Sequence, residues 1–227
     1  QTGKVQDLLL NDEIQRIIQR GSSSLFSIRQ LIGHQQVLVI GGAGYIGSIL
    51  VRQLLDRGYA VKVLDKLIFG KAALEALIDN PLFTLIEGDS GHLETVINAV
   101  KDVDAVIHLA EIVGDPACAL DPEKTQQMNY LSTSLVANVC KHFQVNRFIY
   151  ASSCSVYGAG DDTSLLNENS ALSPVSLYAR MKIESERAVH AATPEFAVTL
   201  RAPLLMGNSA GGQRSTHERL FADWAAR

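Results

Sequence analysis

Residues 37–47 constrain this chain more than any other stretch. Val37-Leu38-Val39-Ile40 is a short apolar run of the kind a strand buried on both faces requires. Gly41-Gly42-Ala43-Gly44-Tyr45-Ile46-Gly47 follows, fitting Gly-x-x-Gly-x-x-Gly from Gly41 and Gly-x-Gly-x-x-Gly from Gly42. Beyond it, Ile46, Ile49, Leu50, Leu54 and Leu55 recur at helical spacing, which predicts a helix with those residues on one face, closed by Gly58. A second strand, Ala60-Val61-Lys62-Val63-Leu64, ends at Asp65. Glycines at such a turn permit a tight bend, backbone approach to a pyrophosphate and close packing of helix on strand. The helix N-terminus offers N–H groups and the positive end of its dipole to phosphate. Asp65 stands about 20 residues beyond the glycines, where a carboxylate can bond a ribose hydroxyl. A carboxylate there would repel a 2′-phosphate, which favours NAD over NADP, although Lys66 adjoins it. The order of strand, glycines, helix, strand and acid therefore predicts a dinucleotide site built on Gly41, Gly44, Tyr45, Ile46, Gly47 and Asp65.

The rest of the chain repeats the alternation. Further strands are expected at Phe83 to Ile86, Ala105 to Leu109, Phe148 to Ala151 and Ala197 to Leu200, with helices around 92–101, 122–142 and 175–192. Such alternation predicts an α/β fold, a doubly wound parallel sheet with its ligand at the carboxyl ends of the strands. Gly88-Asp89, His108-Leu109-Ala110 and Ser152-Ser153 each follow or close a strand at that end. The 227 residues, 47% hydrophobic and 19% charged, suffice for one sizeable α/β domain. Residues 34–207 are assigned to it. Residues 1–33 read as a helical extension with an apolar stripe, a Ser-rich joint at Ser22-Ser23-Ser24 and a docking turn, and 208–227 as a short C-terminal segment.

Net charge is −4 and no basic run suggests nucleic acid. Cys118, Cys140 and Cys154 are odd in number and lack metal-ligand spacing, which points to a reducing, cytoplasmic setting and no metal. No apolar stretch is long enough to span a bilayer, and no signal-peptide pattern opens the chain. Asp161-Asp162 with Glu168 nearby reads as a solvated turn rather than a cation site.

A second constellation carries chemistry. In Tyr178-Ala179-Arg180-Met181-Lys182 the tyrosine and lysine lie four apart, on one face of a helix. A phenol, with a pKa of about 10, is a poor base at neutral pH. A nearby ammonium favours the phenolate, and a serine hydroxyl from Ser152-Ser153 can bond the same substrate oxygen. Such a set suits removal of a proton from an alcohol while hydride leaves the neighbouring carbon. The expectation is that Lys182 lowers the pKa of Tyr178. Alone, Tyr-x-x-x-Lys also fits a tyrosine on a core edge and a solvated lysine. His108, at a strand end, reads as a hydrogen-bonded core-edge residue, and Cys154 as a small buried one.

Taken together, Gly41 to Gly47, Asp65, Gly88-Asp89, His108-Leu109-Ala110, Asn129, Ser152 to Gly158, Tyr178 to Lys182 and Leu200-Arg201 resemble the extended short-chain dehydrogenase/reductase family. Within it they resemble the NAD-dependent nucleotide-sugar epimerases and dehydratases, from about Val37 to Gly207. The resemblance implies Tyr178 as catalytic acid/base, Lys182 as its modulator and a holder of the nicotinamide ribose, and Ser153 as the hydrogen-bond partner of the substrate oxygen. It further implies Asp89 and Ser90 against adenine, Leu109, Ala110 and Glu111 along the cofactor, Asn129 bracing the site, and a homodimer paired through two helices. In the implied scheme a sugar hydroxyl is oxidised, the keto sugar turns, and hydride returns to its other face.

Five departures stand out. Cys154 and Ser155 occupy places where the family's dehydratases carry Asp-Glu, which argues against dehydration. Leu204-Leu205 replaces a usual Asn-Pro, and Ile40 a usual Thr. Glu111 stands where Ala is usual, and could repel a diphosphate or bond a sugar hydroxyl. About twenty residues remain after Gly207, so the expected C-terminal substrate region is truncated or very small. Two rival readings stay open: a keto-sugar or carbonyl reductase using the same triad, and a non-catalytic NAD-binding protein.

Overall fold

The computed structural model describes residues 35–158, 166–193 and 197–201. Six strands make one sheet: β1 (Gln36–Ile40), β2 (Ala60–Asp65), β3 (Phe83–Glu87), β4 (Ala105–His108), β5 (Arg147–Ala151) and β6 (Ala197–Leu200). Every neighbouring pair is parallel, in the order β3-β2-β1-β4-β5-β6. The order reverses between β1 and β4, which creates the crevice where ligands of such sheets bind. The helices are α1 (Tyr45–Asp56), α2 (Leu93–Val100), α3 (Asp115–Leu120), α4 (Pro122–Thr125), α5 (Ser132–His142) and α6 (Leu177–Ala192). A π-helical turn, Gln126–Leu131, joins α4 to α5, and 3₁₀ turns cover Ala72–Leu77 and Cys154–Tyr157.

Alternation along the strands divides the core. Val37 and Val39 of β1 join Val51, Leu55, Val61, Val63, Leu74 and Phe83 on one side. Leu38 and Ile40 join Leu64, Val96, Val106, Val136, Phe148 and Tyr150 on the other. Both faces of β1 are thus sealed, as its uninterrupted apolar run requires.

The helix predicted after the glycines forms, but its buried face differs from the expected one. Gly47, Ser48, Val51 and Leu55 are buried, whereas Ile46 and Ile49 are exposed. The small residues set the face because they let the helix axis approach the sheet, and the larger isoleucines are turned away. Helix α3 carries no apolar periodicity long enough to be read from sequence, and was not expected. The extension over 1–33, the segment 208–227, Leu204-Leu205 and Asp161-Asp162 lie outside the described residues. Among the described residues, no helix is long and apolar enough to cross a membrane and no His/Cys/Asp/Glu group could hold a metal ion.

Candidate active site

The glycine turn is fixed by backbone geometry. Gly41 has φ of +86°, and a Cβ there would sit 2.7 Å from the Ala110 nitrogen. A Cβ on Gly47 would drive into the Gly41 carbonyl oxygen. These positions accept no side chain, so the turn after β1 lies tight against α1 and against the end of β4. The Gly41 amide donates to Leu64 O and the Leu109 amide to Ile40 O, which carries sheet pairing past the strand ends into the turn. Helix α1 starts from Gly44, which has no side chain to cap its N–H groups. An uncapped helix N-terminus behind a turn that excludes side chains is a fitting cradle for a dinucleotide pyrophosphate.

The two acids of this half are held by the chain itself. Asp65 Oδ2 accepts the Ala43 amide at 2.9 Å and Oδ1 the Leu67 amide at 2.8 Å, so the carboxylate ties β2 to the glycine turn. Asp89 Oδ2 pairs with Lys66 Nζ at 2.6 Å and Oδ1 accepts the Gly91 amide. Partial burial works to raise the Asp89 pKa, but Lys66 and the Gly91 amide outweigh it and hold the carboxyl below its usual range. Lys66 is thus turned toward Asp89, with Ser90 in the turn that follows.

Across the crevice the structure brings together Ser153, Tyr178, Lys182 and Glu111. Ser176 caps α6 by accepting the Ala179 amide, which sets Tyr178 and Lys182 on the buried face one turn apart. Lys182 Nζ lies 5.5 Å from the Tyr178 ring centroid and 4.9 Å from that of Tyr150. It donates to Ala151 O and forms an ion pair with Glu111 Oε2, both at 2.5 Å. The other Glu111 oxygen accepts the Tyr150 hydroxyl at 2.5 Å. Ser153 caps the 3₁₀ turn, its hydroxyl oxygen accepting from the Ser155 amide at 3.2 Å and the Ser155 hydroxyl at 3.0 Å.

The expected lowering of the Tyr178 pKa is not found. Burial and then the Glu111 carboxylate push it above the ordinary tyrosine value, and the hydroxyl of Ser153 only partly offsets them. Burial is the larger cause, and Lys182 does not offset it because it is committed to the Glu111 carboxylate. Burial raises the Glu111 pKa as well, with Lys182 and Tyr150 opposing it. Repelling a diphosphate or bonding a sugar hydroxyl concerns a bound substrate; within the protein Glu111 is already engaged. It touches Lys182 and Tyr150, and sequence offered no signal of that because the three residues lie far apart in the chain.

Asn129 braces the site through the π-turn. Its Oδ1 accepts the Ile112 amide and its Nδ2 donates to Ile112 O, both at 2.8 Å, clamping the strap that carries Leu109, Ala110 and Glu111. Its own carbonyl accepts the hydroxyls of Thr133 and Ser185. The extra residue of a π-turn shifts helix register locally, and here it faces Asn129 inward.

His108 is buried and bonds Thr133 Oγ1 through Nε2 at 2.9 Å. Thr133 already gives its proton to Asn129 O, so its oxygen accepts, and Nε2 carries the hydrogen. Burial, aided by Lys182, holds the imidazole pKa down to about 3. Cys154, read from sequence as buried, is exposed because the 3₁₀ turn after Ser153 directs it outward. Sequence also missed a buried cluster: Ser152 Oγ donates to Glu186 Oε1, and the Arg201 guanidinium bonds both Glu186 oxygens.

Fold and crevice define a doubly wound domain of the dinucleotide-binding type. Residues 37–227 match the NAD dependent epimerase/dehydratase family, and the chain belongs to that family, whose cofactor is NAD. It is 35% identical over 153 residues to the human sterol-4-alpha-carboxylate 3-dehydrogenase, decarboxylating, a match over 66% of this chain and 38% of that protein. It is 34% identical over 198 residues to UDP-glucose 4-epimerase 3 of Oryza sativa subsp. japonica, over 79% of this chain and 50% of that protein. The chain thus spans between about two fifths and half the length of these two relatives. A UDP-glucuronic acid 4-epimerase from Bacillus cereus, solved with UDP-glucuronic acid and NAD, shares the fold with a TM-score of 0.73 at 28% identity. That match covers 85% of this chain and 63% of the other.

Proposed function

We propose that this chain carries the NAD-binding and catalytic part of an epimerase or oxidoreductase acting on a nucleotide-sugar. The observation that supports it is the convergence of Ser153, Tyr178 and Lys182 at the carboxyl ends of the strands, across the crevice from the glycine turn. NAD, when bound, supplies a hydride acceptor in one direction and a hydride donor in the other. Gly41, Gly44, Tyr45, Ile46 and Gly47 would line its pyrophosphate, Asp65 its ribose, Asp89 and Ser90 its adenine, and Leu109, Ala110, Glu111, Tyr178 and Lys182 its nicotinamide end. Tyr178 exchanges a proton with a sugar oxygen, Ser153 donates a hydrogen bond to that oxygen, and Lys182 sets the charge around both. Ser153 already accepts two hydrogen bonds, which leaves its own proton to donate. Asn129 keeps the strap from drifting. A cytoplasmic homodimer completes the proposal.

The test is NMR of a nucleotide-sugar panel incubated with protein and NAD+, with Tyr178→Phe as the control. An epimer forming with the wild type, and at a rate lower by about 10²–10⁴ with the variant, is expected. NAD titration should give the same affinity for both proteins. Wild-type rates in Tyr178→Phe would remove the assigned acid/base.

A further inference from the structure

The ion pair between Glu111 and Lys182 has no counterpart in the charge arrangement that a Tyr-x-x-x-Lys pair needs for base chemistry. We propose that Glu111 is a positioning residue that cancels the charge of Lys182 and holds Tyr178 as a phenol, so that the resting site carries the proton that reduction of a carbonyl consumes and lacks the base from which oxidation of a hydroxyl starts. The inference rests on the reading of Tyr178 and Lys182 as the acid/base pair and assigns that pair a preferred direction.

The geometry carries it. The Glu111 and Lys182 side chains are 2% and 5% exposed, with Nζ and Oε2 2.5 Å apart. The ammonium donates a hydrogen bond to Ala151 O and is held against Glu111 Oε2 as an ion pair. Both carboxylate oxygens are held, one by Lys182 and one by the Tyr150 hydroxyl. The clamp therefore draws on the strap after β4, on β5 and on α6, and none of the three elements can swing it apart alone. Whichever partner carries the shared proton, the pair sums to zero charge.

The other groups facing this cluster do not restore a positive field. His108, at the end of β4, is kept neutral by burial first and by Lys182 second. Asp115 and Cys118 on α3 act on Tyr178 in the same sense as Glu111. Tyr150 on β5 is itself pushed up, by burial and then by Glu111. Ser153 favours the phenolate by a hydrogen bond but brings no charge. Lys182 is the cation among these groups, and Glu111 takes it. A phenolate at Tyr178 would add a negative charge beside a carboxylate in a buried site, which costs more than keeping the proton. In the favoured direction the carbonyl carbon takes hydride, which reduced NAD would supply, as the Tyr178 O–H bond breaks and a substrate O–H bond forms, and water returns a proton to the phenolate left behind. An alanine in place of Glu111 would leave Lys182 uncompensated and favour the opposite direction.

The experiment is an ultraviolet titration of tyrosine ionisation in the cofactor-free full chain. Subtracting Tyr178→Phe from wild type isolates the Tyr178 step, and repeating the pair in Glu111→Gln reads the effect of the carboxylate. The expected wild-type step lies above the ordinary value of about 10, and Glu111→Gln lowers it by roughly 1–3 units. Glu111→Asp, which keeps the charge, should leave it high. A wild-type step at or below the ordinary value overturns the proposal, as does a step that Glu111→Gln does not move. A purely structural role would lower the melting temperature and leave the step in place. Should Glu111→Gln fail to fold by circular dichroism, Glu111→Ala gives the same reading, and the wild-type step still decides. No substrate or turnover enters this measurement. An inert enzyme with a shifting step would sink the proposed activity alone, and an active one with an unmoved step would sink this inference alone.

Discussion

The two walls of the crevice are built from different materials. The wall formed by β1, α1 and β2 is made of backbone, where Gly41 and Gly47 exclude side chains and α1 begins without a side-chain cap. The wall formed by the end of β4, β5 and α6 is made of buried charge, with Lys182, Glu111 and Glu186 set among Tyr150, Tyr178 and Ser152. A backbone site is specified locally and tolerates changes elsewhere in the fold. A buried charge site is specified by residues that meet only after folding, and each member depends on its partners because an unpaired buried charge is costly. The first wall is suited to holding a ligand, and the second to moving a proton.

Removing one charge from the second wall should cost the most stability. Glu186 receives Ser152 Oγ and the Arg201 guanidinium, and its side chain is 7% exposed beside 21% for Arg201. Glu186→Ala strands both donors. A loss of about 3 kcal/mol is expected, at the low end for a broken buried pair because Arg201 retains some water. Chemical denaturation measures it, and NAD affinity of the folded fraction should not change. A variant as stable as wild type would show that this wall tolerates a missing partner, and the contrast would fail. Gly47→Ala probes the first wall. Its Cβ meets the Gly41 carbonyl, so the turn must shift, at a cost of about 1–3 kcal/mol. Calorimetric titration should find that cost mainly in NAD affinity, about tenfold for each 1.4 kcal/mol, with turnover at saturating NAD little altered. Unchanged affinity would mean that the turn is not where the cofactor sits.

The same contrast explains what sequence made legible. The apolar run, the glycines and Asp65 act within one strand-turn-helix-strand unit, so their spacing alone set the first wall and the order of β1, α1 and β2. The strands were likewise placed to within a residue or two, because parallel strands buried on both faces read as continuous apolar runs. The face of α1 was misjudged because periodicity counts large apolar residues, and here Gly47 and Ser48 do the packing. Tyr178 and Lys182 were visible at their helical spacing. The partner that changes their chemistry was not, since Glu111 arrives on a strap from β4 and Tyr150 from β5. Asn129 could be expected to brace the site, but the π-turn that points it at Ile112 leaves no mark in composition.

His108 offers the finest test of the second wall, because it is a titratable group that the structure keeps neutral. With Nε2–H given to Thr133, its Nδ1 has no hydrogen-bond partner among the described residues, so a second proton would be buried without an acceptor. Its pKa falls from 6.5 to about 3, by burial first and by Lys182 second. The sign follows. Below pH 6.5 the unfolded chain binds a proton at this histidine and the folded chain does not, so unfolding gains protons and stability falls with acid. The contribution is intact above 6.5 and drains away as pH falls toward 3, at up to about 1.4 kcal/mol per pH unit. His108→Leu removes the group, so its stability should fall less steeply between pH 6.5 and 5 than that of wild type, by about that slope. Urea denaturation at a series of pH values compares the two. Parallel curves would mean that His108 takes up its proton in the folded state, and that this wall is wetter than its packing indicates.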